Sequence, residues 1–540
     1  MSDLVERLFT RRLRGAASSS PLLADANEDG WPEIFVGGPA LSGLHWDGDP
    51  LPRWPKKGGR PFASSPAFAD INGDGRGELV CGCDDGRVYA FYPDGASVAG
   101  WPVKTGADVF STPALADLDG DRASEVIIGS DDGMLRILKG DGRPLWTAAI
   151  PGRPFVSASA TVADLDADKS LEIAIGAWDR RMHVWSAEGA PKTTAMPEAG
   201  HVVWSSGTAF EIKGRDRFIA WGSDAVYVAS GRGTILPGWP ARTESWMVSS
   251  PAVADLGGGR GPVIVVGAER VYAWDLSGRL LPGWPVDCGD FSWSSPLLLD
   301  VDGDGTREIV IGSWDGGIRG IRPDGSSLPG FPLETSGPIF ATPAASPLPD
   351  GGGLLIAASW DGTIRGWRLP RARFAPGDWL QFRGSAARTG AQGIPLEAAR
   401  EPPASTEGRL ATPLVRGARV ERWAWGRGLE RIAVEGENLS HARGLRVVYK
   451  IGGEGKRHPV PAVNSRGRFV AIVQPLRLPH RIRYSVEFER GDGVVERWPG
   501  SGSAEYLSRP RILTTAESIH DGRTHETRVA RDLRLRSTGD

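Results

Sequence analysis

Five short stretches of this sequence space their side-chain oxygens in a way that suits a hard divalent cation. The clearest runs Asp70-Ile71-Asn72-Gly73-Asp74-Gly75-Arg76-Gly77-Glu78, with oxygens on the first, third, fifth and ninth side chains. Alternate residues aim oxygens into one concavity, the backbone carbonyl of Arg76 can add a ligand, and a carboxylate in ninth place can bind with both oxygens. The total reaches the roughly six to eight oxygens that Ca2+ prefers, whereas Mg2+ wants a tighter octahedron and keeps its own waters. The pattern returns as Asp25/Asn27/Asp29/Glu33 with the carbonyl of Trp31, and as Asp117/Asp119/Asp121/Glu125 with that of Ala123. It returns again as Asp164/Asp166/Asp168/Glu172 with Ser170, and as Asp300/Asp302/Asp304/Glu308 with Thr306. One such run reads equally as a solvated turn; five in register do not. Without a cation each loop crowds like charges together, which raises carboxylate pKa values and works against the fold, so bound metal is expected to stabilise it. Arg122 and Lys169 stand where the sharp turn prefers glycine, so those two loops are expected to hold metal more weakly.

A second set of residues is aromatic. Phe62, Phe110, Phe155, Trp204, Trp246, Trp293 and Phe340 recur at one place in successive repeats, and Trp178-Asp179, Trp314-Asp315 and Trp360-Asp361 occupy another. Flat rings beside carboxylates suit a sugar, whose apolar face stacks while its hydroxyls find acceptors. The competing reading is that the rings fill a channel and the aspartates only make turns. His45, His183 and His201 have no metal-ligand spacing, and neither a nucleophile elbow nor a zinc signature is present, so no catalytic residue is assigned.

What must position these residues is a repeat. One pattern returns eight times at a spacing of roughly 45 residues, with starts at Ser20-Pro21, Ser65-Pro66, Thr112-Pro113, Ser159-Ala160, Ser206-Gly207, Ser250-Pro251, Ser295-Pro296 and Thr342-Pro343. Each copy reads as a small-residue strand ending at the acidic loop, a β-branched strand, a short turn, a third strand, and often Gly-Trp-Pro. Such a unit cannot bury both faces alone, so copies must stack radially as the blades of an all-β, eight-bladed propeller, with seven blades as the alternative. Asp85-Gly86, Asp132-Gly133, Asp315-Gly316 and Asp361-Gly362 predict two-residue hairpin turns. The prolines after Trp54, Trp101, Trp239, Trp284 and Phe331 predict outer edge strands. The stretch from Asp378 to Gly390, DWLQFRGSAARTG, is expected to close the ring as the outer strand of the last blade.

The signature DINGDGRGELVCG (Asp70 to Gly82) and its copies resemble the FG-GAP or VCBS repeats, the calcium-loop propellers that include the integrin α-subunit head and certain fungal lectins. That resemblance implies structural calcium, about five ions, on one face of the ring, and a glycan or protein ligand on the opposite face. It departs in blade number, since integrin heads have seven. The function expected is an adhesion or recognition module. The alternatives are a polysaccharide-lyase-like, carbohydrate-active enzyme on the same scaffold, and a structural component of a bacterial surface or injection assembly.

The remaining sequence sets bounds. The 540 residues divide into an N-terminal segment 1–15, the propeller 16–390, a Pro- and Ala-rich linker 391–416, a second domain 417–508 and a charged tail 509–540. In the second domain Arg431–Leu439, Leu445–Ile451, Arg468–Leu476 and Arg481–Arg490 alternate at strand period, predicting a small immunoglobulin-like β-sandwich, and VEGENL resembles the IPT/TIG type. Such a domain is expected to offer a docking point for an assembly partner. A formal charge of -3 offers no broad basic surface for nucleic acid. The three cysteines, Cys81, Cys83 and Cys288, make no disulfide framework. No apolar run is long enough to span a membrane. The calcium loops point to the cell surface or outside, while MSDLVERLFTRRLRG lacks the apolar core of a signal peptide, leaving unconventional export or a cytoplasmic location as alternatives.

Overall fold

In each blade the second strand is an almost unbroken apolar run, as in Glu78–Cys83, Glu125–Ser130, Glu172–Gly176 and Glu308–Gly312, and every residue of these four is buried. Neighbouring sheets cover both of its faces, which is why no polar alternation is seen. In blade 2 the inner strand Ala67–Ala69 pairs with Glu78–Cys83, which pairs with Arg87–Phe91, and Val103–Lys104 lies outermost. Eight such sheets follow one another, the last built on Ala344–Pro347, Gly353–Ser359 and Thr363–Leu369. The molecule described is a computed structural model. It covers residues 4–392 apart from 14, 18, 152–154, 193–195, 213–216, 258 and 260, and beyond 392 only strand backbone between Leu414 and Leu507. Among the described residues there is no helix, and none therefore long and apolar enough to cross a membrane.

The repeat starts explain the closure. Each start residue donates its backbone N–H to the hydroxyl of the next: Ser20 to Ser65, Ser65 to Thr112, Thr112 to Ser159, and Ser159 to Ser206, at 2.9–3.3 Å. The sequence continues from Ser206 to Ser250, Ser250 to Ser295 and Ser295 to Thr342, and Thr342 donates back to Ser20 at 3.0 Å. A one-way circuit of eight bonds fixes the blade number at eight and removes the seven-bladed alternative. Tryptophans after the third strands of blades 1, 2, 5 and 6 tie each of these to the next blade. Trp54 Nε1 donates to Pro93, Trp101 to Gly140, Trp239 to Leu276 and Trp284 to Pro323, at 2.9–3.1 Å.

Two sequence expectations are corrected here. The Asp-Gly turns are three-residue hairpins: Gly86 N–H reaches Cys83 C=O at 3.1 Å, and only Gly86, at φ 73°, is left-handed. This is a type I turn followed by a left-handed glycine, so the aspartate itself needs no positive φ. The outer strand of blade 8 is Glu6–Arg12, from the N-terminal segment, paired antiparallel with Thr363–Leu369. A single strand taken from the far end of the chain closes the ring, and it has no repeat around it to betray its role.

The stretch assigned to that outer strand instead fills the axis. Inner strands face the central channel with unpaired N–H groups that need acceptors. Trp379 exchanges two backbone bonds with Leu298 of blade 7, and Leu380 accepts from Ala345 of blade 8. Gln381 Oε1 accepts from Leu23 of blade 1. Ala386, Ala387, Thr389 and Gly390 accept from Phe68, Leu115, Val162 and Ala209 of blades 2 to 5, at 2.8–2.9 Å. Ala391–Gln392, expected to begin a linker, then runs parallel to Thr208–Glu211. Two arginines in this stretch, Arg383 and Arg388, are 1% and 0% exposed, and among the described residues no carboxylate pairs with either. Arg383 donates to the carbonyls of Ala160, Gly207 and Thr389, and Arg388 to those of Pro21, Pro66 and Phe382. Burial lowers both guanidinium pKa values to about 9.

A second unit, Pro402–Asp540, is described by strand backbone alone. Leu414–Arg422, Glu430–Glu437, Arg468–Val473 and Val463–Ser465 form one sheet; Arg443–Ile451, Arg481–Glu489 and three shorter strands form another. Strand backbone alone does not show the immunoglobulin-like assignment, and the linker from 393 to 413 and the tail 509–540 lie outside the described residues.

Candidate functional site

The acidic runs all occupy one position, between the first and second strands of their blades, and the ninth-place glutamate opens the second strand in each case. The loops are wound around two carboxylates. The first aspartate accepts, through Oδ2, the N–H of the sixth residue: Asp25 from Gly30, Asp70 from Gly75, Asp117 from Arg122, Asp164 from Lys169 and Asp300 from Gly305, at 2.8–3.0 Å. That sixth residue is left-handed in all five, including Arg122 at φ 72° and Lys169 at φ 73°. The glutamate accepts, through Oε2, the N–H of the second residue: Glu33 from Ala26, Glu78 from Ile71, Glu125 from Leu118, Glu172 from Leu165 and Glu308 from Val301, at 2.7–3.0 Å. Oε2 is thereby engaged by the backbone, and Oε1 is the oxygen turned to the loop interior.

Each glutamate is 0–2% exposed. Burial, reinforced by the loop aspartates, pushes Glu33, Glu78, Glu172 and Glu308 up to about 7. Burial also raises Glu125. In four loops carboxylate oxygens converge to within 4.8 Å: Asp70/Asp74/Glu78, Asp117/Asp119/Glu125, Asp164/Asp166/Glu172 and Asp300/Asp302/Asp304. In the fifth, Asn27 Nδ2 sits between Asp29 Oδ2 at 3.0 Å and Glu33 Oε1 at 2.9 Å. Several acidic clusters of this protein could therefore hold a metal ion, with an all-oxygen donor set. The loop of blade 7 also borders an open hollow lined by Leu4, Asp302, Asp304, Arg322 and Arg371.

The opposite face carries the strand-two-to-three turns and the aromatic residues. The aspartates there are engaged within their blades. Asp179 meets His183 at 2.8 Å, Asp361 meets Arg365 at 2.9 Å and Thr363 Oγ1 at 2.6 Å, and Asp315 meets Arg319. Asp85 with Tyr89 and Asp132 with Arg136 are the same brace in blades 2 and 3, so the His183–Asp179 pair is one member of a repeated hairpin feature. The rings converge in two groups. Trp178 packs on Phe155 and Trp204 with centroids 5.1 and 5.3 Å away. A longer arc runs His201, Trp246, Trp293, Trp314, Phe340 and Trp360 with successive centroids 4.4–6.3 Å apart. Trp360 is 51% exposed, Trp246 40% and Phe291, beside Trp314, 38%. Phe62, by contrast, is buried against Tyr89 and belongs to the core.

Sequence reasoning passed over the residues that replace tryptophan in this turn. Asp84 and Asp131 of blades 2 and 3 stand where Trp178, Trp314 and Trp360 stand in blades 4, 7 and 8. Burial, with Asp108 and Asp131 close by, raises Asp84 to about 6. Aligning the turns on their common Asp would have found the substitution.

Residues 62–91, from the approach to blade 2 through its third strand, match the FG-GAP repeat family. No curated protein matches the chain. Among solved structures it is similar to Sqt1 of Saccharomyces cerevisiae, at 13% identity over 68% of this chain and 99% of that one, TM-score 0.49. It is also similar to the computationally designed Ika8 protein, at 16% identity over 67% of this chain and 99% of that one, TM-score 0.48. A third likeness is to the quinohemoprotein alcohol dehydrogenase of Comamonas testosteroni, at 13% identity over 69% of this chain and 77% of that one, TM-score 0.48. Likeness at this level concerns the scaffold and brings no activity with it. The chain is a repeat-built, eight-bladed β-propeller carrying an FG-GAP repeat and acidic clusters able to hold metal.

Proposed function

We propose that this protein is a calcium-stabilised recognition module whose turn face docks a glycan or a protein. The observation that carries the reading is the aromatic arc from His201 to Trp360, a continuous band of rings with exposed members, on the face away from the acidic loops. Apolar ring faces in a row suit the faces of successive sugar rings or the side chains of an extended partner. Calcium as the resident ion is favoured by the purely oxygen donor set and by the FG-GAP match. When bound, it neutralises the carboxylates that otherwise crowd each loop. The axis is filled by the chain's own Trp379 to Gln392, so a ligand is expected to lie across the mouth and not to enter the ring.

A glycan-array screen of the intact protein, in calcium and in chelator with ultraviolet monitoring, tests this reading. Calcium-dependent binding without turnover is the expected result. Release of unsaturated, ultraviolet-absorbing oligosaccharides would establish a lyase in its place, and silence on every glycan would leave a protein as the ligand.

A further inference from the structure

In blades 3 and 4 the interior of the acidic loop is taken by an ammonium group. Lys139 Nζ lies 2.8 Å from Glu125 Oε1 and 3.1 Å from Asp121 Oδ2, and it also donates to Asp119 Oδ2. Lys192 Nζ lies 3.0 Å from Asp166 Oδ2, 3.0 Å from Glu172 Oε1 and 3.5 Å from Asp168 Oδ2. Both ammoniums therefore reach the third-, fifth- and ninth-place carboxylates, the oxygens a metal would draw on. In blade 4 the first-place Asp164 is paired in addition with Arg217. Both lysines come from beyond the third strand of their own blade and are only 20% and 26% exposed.

In the other three loops no ammonium among the described residues reaches these oxygens, although His45 Nδ1 stands 3.9 Å from Glu33 Oε1 in blade 1 and Arg322 follows the third strand of blade 7 as Lys139 does in blade 3. Asn27 and Asn72 meet Glu33 and Glu78 through Nδ2. An amide is neutral, and turning it over presents Oδ1 where Nδ2 was. In blade 7, Thr306 Oγ1 faces Glu308 Oε1 at 3.4 Å, and Arg322 touches one oxygen only, Asp302 Oδ2, at 3.2 Å. An ammonium has three donors and no acceptor, so it offsets the charge of the loop but cannot ligate, and it repels a second cation; in blade 4 it meets Glu172 Oε1 as an ion pair without a hydrogen bond. The same two loops carry Arg122 and Lys169 in sixth place, where the others have Gly30, Gly75 and Gly305.

We infer that Lys139 and Lys192 are built-in replacements for metal, so that blades 3 and 4 are closed without calcium and only blades 1, 2 and 7 take it up. The inference rests on calcium as the resident ion. It divides the ring into a metal-independent pair of blades and a metal-dependent remainder.

The test is the number of Ca2+ ions bound by the full chain, measured by titration calorimetry and by elemental analysis, for the wild type and for Lys139→Gln, Lys192→Gln and the double variant. The expected counts are three, four, four and five. Melting in chelator supplies a second readout: Lys139→Gln melts below wild type without metal and regains the difference in calcium. Five ions in the wild type would overturn the inference and leave calcium standing as the resident ion. So would three ions in every variant with Lys139→Gln equally destabilised in calcium and chelator, which would make the lysines ordinary ion-pair partners. No calcium in any variant would overturn both this inference and the calcium reading beneath it. Lys139→Met and Lys192→Met, which keep side-chain length without the charge, give the chelator comparison if a Gln variant does not fold.

Discussion

The two faces of the ring treat the same repeat in opposite ways. On the loop face the acidic run keeps one internal wiring, the first aspartate to the sixth N–H and the ninth glutamate to the second N–H, in blades 1, 2, 3, 4 and 7. On the turn face the brace aspartate is kept while its predecessor changes from Asp84 and Asp131 to Trp178, Trp314 and Trp360. A side chain kept in place by backbone hydrogen bonds serves the fold. A position whose chemistry changes among blades 2, 3, 4, 7 and 8, over the same brace aspartate, is free to serve a ligand. The difference teaches that this scaffold keeps its backbone wiring on the loop face and its variable side chains on the turn face.

Breaking what lies between the faces has the largest expected effect. Arg388→Met leaves the buried carbonyls of Pro21 and Pro66, and the partly buried one of Phe382, without that donor. An unsatisfied buried acceptor costs about 1–3 kcal/mol, so a loss of about 3 kcal/mol or more is expected in a denaturant titration. Next come the loops. Asp74→Ala and Asp304→Ala should each remove one calcium, and each ion contributes about 2.7 kcal/mol at a hundredfold excess over its Kd. Melting in calcium should fall accordingly, with far smaller change in chelator.

Acid sharpens the same contrast. The folded, metal-free loops hold Glu33, Glu78, Glu172 and Glu308 at about 7, above the ordinary carboxylate value of 4.5. A raised folded pKa means stability present below 4.5 and lost as pH rises through 7. These four groups therefore favour a higher melting temperature in chelator at pH 5.5 than at pH 7.5. At Glu33, Glu78 and Glu308 calcium reverses the sign, because protons compete with the ion, and the stabilisation that calcium adds should shrink below pH 7. The smallest stability effect is expected on the turn face. Trp246→Ala and Trp360→Ala, at exposed rings, should cost under about 1 kcal/mol. Trp314 is a poorer probe, since it is wedged among Phe291, Trp293 and Phe340.

Much of this was legible in the residues and some was not. Eight repeat starts are visible because a Ser or Thr recurs before each inner strand, and their hydroxyls prove to be the ring itself. The acidic runs are legible because their residues are adjacent in sequence. What hides is whatever depends on distance along the chain. Glu6–Arg12 closes blade 8 from more than three hundred residues away. Arg383 and Arg388 lie in the stretch expected as an outer strand, and no neighbour in sequence marks them as buried at the axis. Lys139 stands 14 residues past Glu125, outside any loop motif, and only the fold of the blade brings it back. The turn aspartates were legible as turn formers, while their ties to His183, Arg319 and Arg365 required the third strand to be in register.

The most direct measurement sets one face against the other on the same ligand: binding and melting temperature, in calcium, for Trp246→Ala/Trp360→Ala and for Asp74→Ala/Asp304→Ala. The expected result is a division, with the tryptophan pair losing binding at a nearly unchanged melting temperature and the aspartate pair losing melting temperature while folded protein still binds. Loss of binding in the aspartate pair alone, with the tryptophan pair binding as the wild type does, would contradict it and move the ligand to the loop face.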